Sequence, residues 1–229
     1  MSVLLMRLAG PMQSWGVQSR WDDRDTGLEP SKSGVVGVVA CALGRPREAR
    51  LDDLAALRMG VRVDREGHHE TDYQTVQDVA RVKGKEADSR NAVVTNRHFL
   101  SDADFVVGLE GEEAFLREID AALRHPFWPI FLGRRAFAPS IPVAFPLRGP
   151  LAPPIRDGVL EEVLPAIPMA GDGDPSGLLR LVVEVPTGKA DAIRLDQPVG
   201  ASFASRGFVP RGVKLISLPV AAVPRLEAP

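Results

Sequence analysis

The spacing of hydrophobic and polar residues changes several times along this chain, and each change marks a predicted element. Residues 3–8 form a short apolar run that ends before Gly10-Pro11, which predicts a strand followed by a turn. Residues 33–43 are almost wholly apolar and predict a buried helix, and residues 51–57 predict a helical turn. The alternation of apolar and other residues over 59–63 is typical of a half-buried strand.

The second half of the pattern repeats this order after a long polar stretch. Residues 68–99 show no sustained period and are too long for an ordinary connection, which predicts a protruding loop or hairpin. Residues 105–109 then predict a strand and residues 112–124 an amphipathic helix that Pro126 terminates. Residues 141–147 are apolar but contain two prolines, so they predict an edge strand or an extended segment.

With the polar stretch set aside, the order is βαββαβ, which predicts an α/β (α+β) ferredoxin-like, or RRM-like, fold. The insertion at about 68–100 is expected to form a thumb hairpin or loop. The proline-rich segment 150–154 predicts a boundary, with a ferredoxin-like domain over 1–149 and a small β-rich C-terminal appendage over 150–229. In the appendage, a helix is predicted over 159–164 and strands over 178–185, 192–195 and 213–218.

Composition describes an ordinary water-soluble protein with an uneven charge distribution. The chain has 229 residues, 45% hydrophobic and 25% charged, and a formal net charge of −2. No apolar run approaches the length of a membrane span, and the first residues lack a basic leader, so we expect a cytoplasmic protein. Acidic residues concentrate on the helix near 112–124, whereas bases gather in predicted loops, an arrangement that fits local binding of a polyanion.

The start of the predicted helix at 33–43 carries chemistry for an anion. Ser31, Lys32 and Ser33 would place hydroxyl donors and an ammonium beside the unpaired N–H groups of the first turn. Counted from Gly27, the spacing is one residue short of a nucleotide phosphate loop and lacks its second glycine, which argues against a nucleotide hydrolase. The simpler alternative is that Ser31 or Ser33 caps a buried helix.

Six short segments, in order along most of the chain, resemble the CasD family of type I-E CRISPR Cascade subunits, within the RAMP superfamily. The segments are LAGPMQSWG at 8–16, RDT with PSKSG at 24–34, DYQTV at 72–76, FLSDA at 99–103, LGRR at 132–135 and FASR at 203–206.

This resemblance implies a non-catalytic CRISPR RNA-binding subunit of the antiviral surveillance complex. Family members grip the 5′ handle of the guide RNA and cap the filament of CasC backbone subunits, and the loop after the second strand forms a thumb that displaces a base. They also contact the large subunit CasA, and through the complex they meet target DNA indirectly. From the residues themselves we expect no cofactor, no metal and no membrane association.

Candidate RNA-binding residues are polar or aromatic side chains in these segments and in the predicted thumb. Trp15 is either a base-stacking platform or a core residue, and the thumb cations are either RNA ligands or solvated surface. Arg134 and Arg135 lie in an acid-free segment, and their forked donors suit phosphate oxygens. The full set is Gln13, Trp15, Arg24, Ser31, Lys32, Ser33, Lys83, Lys85, Arg90, Arg97, Arg134, Arg135 and Arg206.

The alternative hypothesis is a metal-independent endoribonuclease that processes CRISPR repeat RNA, as the resemblance to type I-C relatives suggests. Tyr73, His98 and Lys83 or Lys85 could supply an acid, a base and a cation for cleavage by the RNA's own 2′-hydroxyl. The adjacent pair His68-His69 lacks the spacing of a metal site.

Overall fold

The structure, a computed structural model, describes residues 1–19, 22–77, 93–169, 177–199, 204–205 and 207–226. It is a mixed α/β fold rich in strands. In chain order the strands are β1 (Ser2–Ala9), β2 (Met12–Gln13), β3 (Asp23–Arg24), β4 (Arg58–Arg65), β5 (His68–Val76), β6 (Val93–Ser101), β7 (Asp104–Gly111), β8 (Ile155–Asp157), β9 (Leu178–Val185), β10 (Ala192–Val199) and β11 (Gly207–Pro219). The helices are α1 (Lys32–Ala42), α2 (Asp52–Ala56), α3 (Glu113–Arg124) and α4 (Leu160–Ala166).

The larger sheet has the order β10-β11-β9-β4-β7-β1-β8 within the described residues. Each of its neighbouring pairs is antiparallel. Most residues of β1 are buried, because its alternating side chains enter two different hydrophobic cores. Leu4, Met6 and Leu8 face the core shared with α1, α2 and α3, while Val3 and Leu5 face the core shared with α4. The sheet therefore lies between α1, α2 and α3 on one face and α4 on the other.

The sequence pattern located most of these elements. The strand predictions at 3–8, 59–63 and 105–109 and the two long helices are confirmed within two residues at each end. In α3 the apolar stripe predicted from spacing is buried through Leu116, Ile119 and Leu123.

Of the two alternatives for 141–147, an edge strand or an extended segment, the edge strand was wrong. Within the described residues its ladder contact is one isolated bridge between Ala144 and Met6. Pro142 and Pro146 have no N–H to donate, so the segment cannot sustain a ladder. Residues Ile155–Asp157, β8, pair with the start of β1 instead.

The strands after residue 150 continue the same sheet. β9 pairs with β4, and β11 and β10 extend the sheet outward from β9. The boundary predicted at 149/150 thus falls within a sheet that contains strands from both sides of it.

The polar stretch after β4 forms a long antiparallel hairpin. Strands β5 and β6 pair from His68 opposite Ser101 to Val76 opposite Val93, and the segment 78–92 between them lies outside the described residues. β2 and β3 also pair with β6, antiparallel and parallel to it respectively. This hairpin has a mostly exposed β5, which explains why no amphipathic period marked it in the sequence.

Candidate nucleic-acid interface

Three arginines meet beside the hairpin. Arg24 lies on β3 opposite Arg97 of β6, in a parallel pair. Arg134 reaches them from the turn after Gly133, and its guanidinium donates to the backbone oxygen of His98 at 2.7 Å. We call Arg24, Arg97 and Arg134 the arginine cluster.

The electrostatics of the arginine cluster favour an added anion. Partial burial lowers the pKa of Arg134, and the neighbouring Arg97 and Arg24 cations lower it further, while Asp72 opposes them. Among the described residues, no carboxylate lies within ion-pair distance of these three guanidinium groups, although the structure pairs most of its other arginines. Forked donors whose positive charge is only partly compensated, here by Asp72, are well suited to phosphate oxygens.

A glycine sets the direction of Arg134. Gly133 has φ of +90°, and a Cβ at this position would lie 1.8 Å from the carbonyl oxygen of Ser14. The Ser14 amide donates to the oxygen of Leu132 at 3.1 Å, which fixes this close approach. The Arg134 guanidinium also lies over the ring of Phe137, 5.3 Å from its centroid. The turn therefore holds Arg134 in place before any ligand arrives.

A groove of about 880 Å³ opens on the other side of this turn, along one face of α1. We call it the α1 groove. Arg135 lies on its rim, whereas Arg134 belongs to the arginine cluster, so two successive residues contribute to two neighbouring surfaces. The residues that line the groove are Gly16, Ser31, Ser33, Gly34, Gly37, Ala40, Cys41, Arg45, Arg47, Trp128, Pro129, Ile130, Phe131, Gly133, Arg135, Ala138 and Phe208.

Lys32 does not occupy the position expected of a phosphate ligand. Its side chain is buried, and its ammonium donates to both carboxylate oxygens of Glu184 at 2.9 Å. Its backbone N–H, at the start of α1, donates to Asp196 at 2.8 Å. Arg211 in turn forms two hydrogen bonds with Asp196. The helix N-terminus does bind an anion, as the pattern indicated, but that anion is a carboxylate of β10.

The two serines beside Lys32 do line the α1 groove. Ser31 is the N-cap residue but makes no capping hydrogen bond through its side chain. The Ser31 and Ser33 hydroxyl oxygens lie 3.5 Å apart. The structure therefore places Ser31 and Ser33 near Arg135 and separates them from Lys32.

Gln13 and Trp15 are core residues, so neither is available to stack on or read a base. The Gln13 amide donates to the backbone oxygens of Leu8 and Ala103 and accepts the indole N–H of Trp15 at 3.2 Å. Trp15 packs against α1, where a Cβ on Gly34 would lie 2.8 Å from its ring. The alternative that Trp15 belongs to the core agrees with its 1% exposure.

Four of the candidate cations, Lys83, Lys85, Arg90 and Arg206, lie outside the described residues. Of the residues in the endoribonuclease hypothesis, Tyr73 is exposed and His98 is held on both ring nitrogens. His98 Nδ1 lies 2.9 Å from Thr71 Oγ1, and Nε2 lies 3.1 Å from Asp23 Oδ1. Tyr73 and His98 share one face of the hairpin, and Arg97 faces the other, because side chains alternate along a strand.

Sequence reasoning missed several residues of the α1 groove. Arg45 and Arg47 directly follow α1, and Trp128 follows α3 after a proline. The adjacent aromatic residues Phe127 and Trp128 after a helix terminator were the available sequence signal, and the structure shows both rings to be exposed.

Within the described residues, no group of three or more His, Cys, Asp and Glu side chains could hold a metal ion. Likewise, no helix in the part of the chain that the structure describes has the length and apolar character needed to cross a membrane.

Comparison with known proteins identifies the family. The model of the CRISPR-associated protein (Cas_Cas5) family matches residues 3–214. A curated relative, "CRISPR system Cascade subunit CasD" of Escherichia coli (strain K12), is 32% identical over 169 residues, which cover 64% of this chain and 69% of that protein.

Two solved structures share the fold over nearly the whole chain. One, described as "Crystal structure of Cas protein", is 42% identical with a TM-score of 0.75 and covers 97% of this chain and 98% of its own. The other, from a "CRISPR RNA-guided surveillance complex", is 32% identical with a TM-score of 0.78 and covers 94% and 90%. The chain belongs to the CRISPR-associated Cas5 family.

Proposed function

We propose that this protein is a non-catalytic, guide-RNA-binding subunit of a type I-E Cascade surveillance complex and that it holds the 5′ handle of the guide. The observation that carries the proposal is the arginine cluster, in which three guanidinium groups from separate segments share one surface with a net positive charge. The names of the Escherichia coli relative and of the surveillance-complex structure support the same assembly.

In this proposal the arginine cluster binds consecutive phosphates of the handle. Phosphate contacts position an RNA strand, and each one adds affinity that falls with salt. The hairpin of β5 and β6 acts as the thumb that projects beside the strand and displaces a base. The candidate residues Lys83, Lys85 and Arg90 lie in the segment that joins its two strands.

The remaining parts of the proposal concern fold and partners. The antiparallel order β4-β7-β1-β8 supports a ferredoxin-like unit in which β8 is the fourth strand. The protein caps the CasC filament, contacts CasA, meets target DNA only through the complex, and works in the cytoplasm.

The test is guide-RNA binding to the full chain over a series of salt concentrations. We expect Arg24→Ala, Arg97→Ala and Arg134→Ala each to weaken binding and to reduce the slope of log affinity against log salt by about 0.7. Arg117→Ala is the matched control, because this arginine is exposed on α3 and pairs with Glu113 four residues before it. Unchanged affinity and slope in all three cluster variants would contradict the proposal.

The alternative, an endoribonuclease, is favoured by one observation: His98 is oriented by Asp23 and Thr71 on the face that also carries Tyr73. A histidine whose second nitrogen is fixed by a carboxylate is suited to general acid–base catalysis. Incubation with CRISPR repeat RNA in EDTA decides between the two functions. Site-specific cleavage that His98→Ala abolishes would establish the alternative, and intact RNA supports the binding function.

A further inference from the structure

The α1 groove is a second surface with chemistry unlike that of the arginine cluster. One wall is the face of α1 that carries Gly34, Gly37 and Cys41, so that no long side chain fills the space. Its volume of about 880 Å³ lies within the range of pockets that enclose small organic ligands. The groove therefore has room for flat groups larger than a single amino-acid side chain.

The opposite wall presents an aromatic ring that is held before any ligand binds. Trp128 is 40% exposed, and its backbone N–H donates to Cys41 at 3.4 Å. Phe127 packs edge-on against Trp128 with ring centroids 4.9 Å apart, and its backbone N–H donates to Ala42 at 2.9 Å. Phe127 also lies against Gly44, where a Cβ would be 2.6 Å from the ring. These contacts hold the backbone at Trp128 and support one edge of its indole, which reduces the conformational entropy that a stacked base would cost.

The rim of the α1 groove is cationic. Arg45, Arg47 and Arg135 line it, and no acidic side chain does so among the described residues. Arg45 is paired with Asp53, whereas Arg47 and Arg135 are exposed and have no ion pair within the described part of the chain. An apolar floor with a positive rim complements a ligand that has flat apolar faces and negative charges. Nucleotides of a single strand have this form, because each base has a π-face and each linkage a phosphate.

Continuity with the arginine cluster distinguishes RNA from an acidic peptide. The turn at Gly133 sends Arg134 to the arginine cluster and Arg135 to the groove, so one strand can pass from the first surface to the second. Resting on the function proposed above, we propose that the α1 groove binds unstacked bases of the single-stranded guide handle, with Trp128 as the stacking platform and Arg47 and Arg135 on the flanking phosphates.

The experiment compares a guide handle with the same handle made abasic at single positions. With the wild-type chain, we expect abasic substitution at one or two positions to weaken binding roughly tenfold, the scale of one base–aromatic stack. Trp128→Ala should cause a similar loss and should remove the abasic effect, while it leaves the salt slope unchanged. Trp128→Phe should retain most of the affinity, because it keeps a ring at that place.

Arg24→Ala is the matched control, since it should reduce the salt slope and keep the abasic effect. If Arg24→Ala leaves both the affinity and the salt slope unchanged, the proposed function is contradicted. If the abasic effect persists in Trp128→Ala, only the groove proposal is overturned. Normal RNA binding by Trp128→Ala together with a loss of its partner subunits would assign the groove to a protein and would also overturn the proposal.

A second measurement needs no variant. Handles that carry 5-iodouridine at each position should crosslink to the peptide that contains Trp128 on irradiation, as mass spectrometry would show. If the crosslinks map only to the hairpin and to the turn at Gly133, the groove is not a base site.

Discussion

Gly133 allows the chain to turn so that the next residue, Arg134, reaches the arginine cluster. No side chain fits at position 133 itself. A φ of +90° is unfavourable for residues with a Cβ, and the carbonyl of Ser14 occupies the space that the Cβ would need. The Leu-Gly-Arg-Arg segment can be recognised in the sequence as a motif. The sequence does not show why its second residue is glycine: the backbone there contacts a residue 119 positions earlier in the chain.

We expect Gly133→Ala to destabilise the fold by more than the ~1–2 kcal/mol that the backbone conformation alone costs, because the added carbon meets main-chain atoms. It should also weaken guide binding, since Arg134 would move. Gly149→Ala is the control: its φ is +87°, but a Cβ there meets nothing within 4 Å. Thermal unfolding of both variants checks this, and equal shifts in Tm would show that the contact with Ser14 is unimportant.

The sequence pattern around Lys32 predicted a phosphate as the partner of its ammonium, but the partner is the carboxylate of Glu184. Burial lowers the pKa of Lys32 below its ordinary 10.5, and Glu184 opposes that effect. Between the lowered value and 10.5 the unfolded chain binds more protons than the folded one, so this lysine makes stability rise with pH across that window. Removing Glu184 lowers the pKa further and widens the window downward.

We therefore expect Glu184→Gln to reduce the free energy of unfolding by about 3 kcal/mol at pH 7, because it leaves a buried charge without its counter-ion. The loss should be smaller at pH 10, where the variant's Lys32 is more often neutral. Urea denaturation at both pH values measures it. Glu113→Gln, which breaks an exposed pair with Arg117, should change stability little at either pH. If the loss of stability in Glu184→Gln were the same at both pH values, it would not come from the buried charge of Lys32.

At the scale of elements, the sequence pattern was reliable where one side of an element meets a core. α3 carried a clear period because one of its faces contacts a core. β4 alternates in sequence although both of its faces are buried, so the half-buried strand expected there is a fully buried one. Its apolar face lies in the core shared with α1, and Arg62 on the other face bonds Asp64 and the backbone oxygen of Leu164. The hairpin carried none, since β5 is exposed on both sides, and its existence had to be inferred from length alone. The segment 141–147 was apolar enough for a strand, but its prolines left β8 to form the ladder.

The join between α1 and the C-terminal strands is an element-scale feature that no local pattern indicated. Asp196 of β10 accepts the first backbone N–H of α1, and Arg211 of β11 holds that carboxylate from the other side. The partners are 164 residues apart along the chain. Spacing rules describe neighbours on one helix or strand and contain no information about such pairs.

At the scale of the whole molecule, the C-terminal strands hold the connection that leads from Arg24 to α1. Glu29 is buried and forms ion pairs with Arg180 of β9 and Arg194 of β10. Arg180 also bonds the backbone oxygen of Leu28 and the carboxylate of Glu66. Strands distant from the arginine cluster thereby fix the segment that carries one of its members.

We expect Glu29→Gln to act as a positioning variant that weakens guide binding several-fold and lowers its salt slope through displacement of Arg24. A double-mutant cycle with Arg24→Ala measures this, because residues that act through one another give non-additive effects. The exposed pair broken by Glu113→Gln again serves as the control for a change of surface charge. Additive effects on binding would show that Glu29 contributes to stability and not to the placement of Arg24.

The sequence by itself determined most of the core strands and helices, the burial of α1 and the presence of basic segments, because these depend on local spacing, propensity and composition. It also carried enough motif order to indicate the family. Only the tertiary structure decided which of those residues are accessible. Lys32 is enclosed by distant strands, and Gln13 and Trp15 are enclosed by contacts with other elements of the core. Arg24, Arg97 and Arg134 are brought together by the pairing of β3 with β6 and by a turn from a third segment. Accessibility and convergence are properties of long-range packing, and a one-dimensional pattern does not specify them.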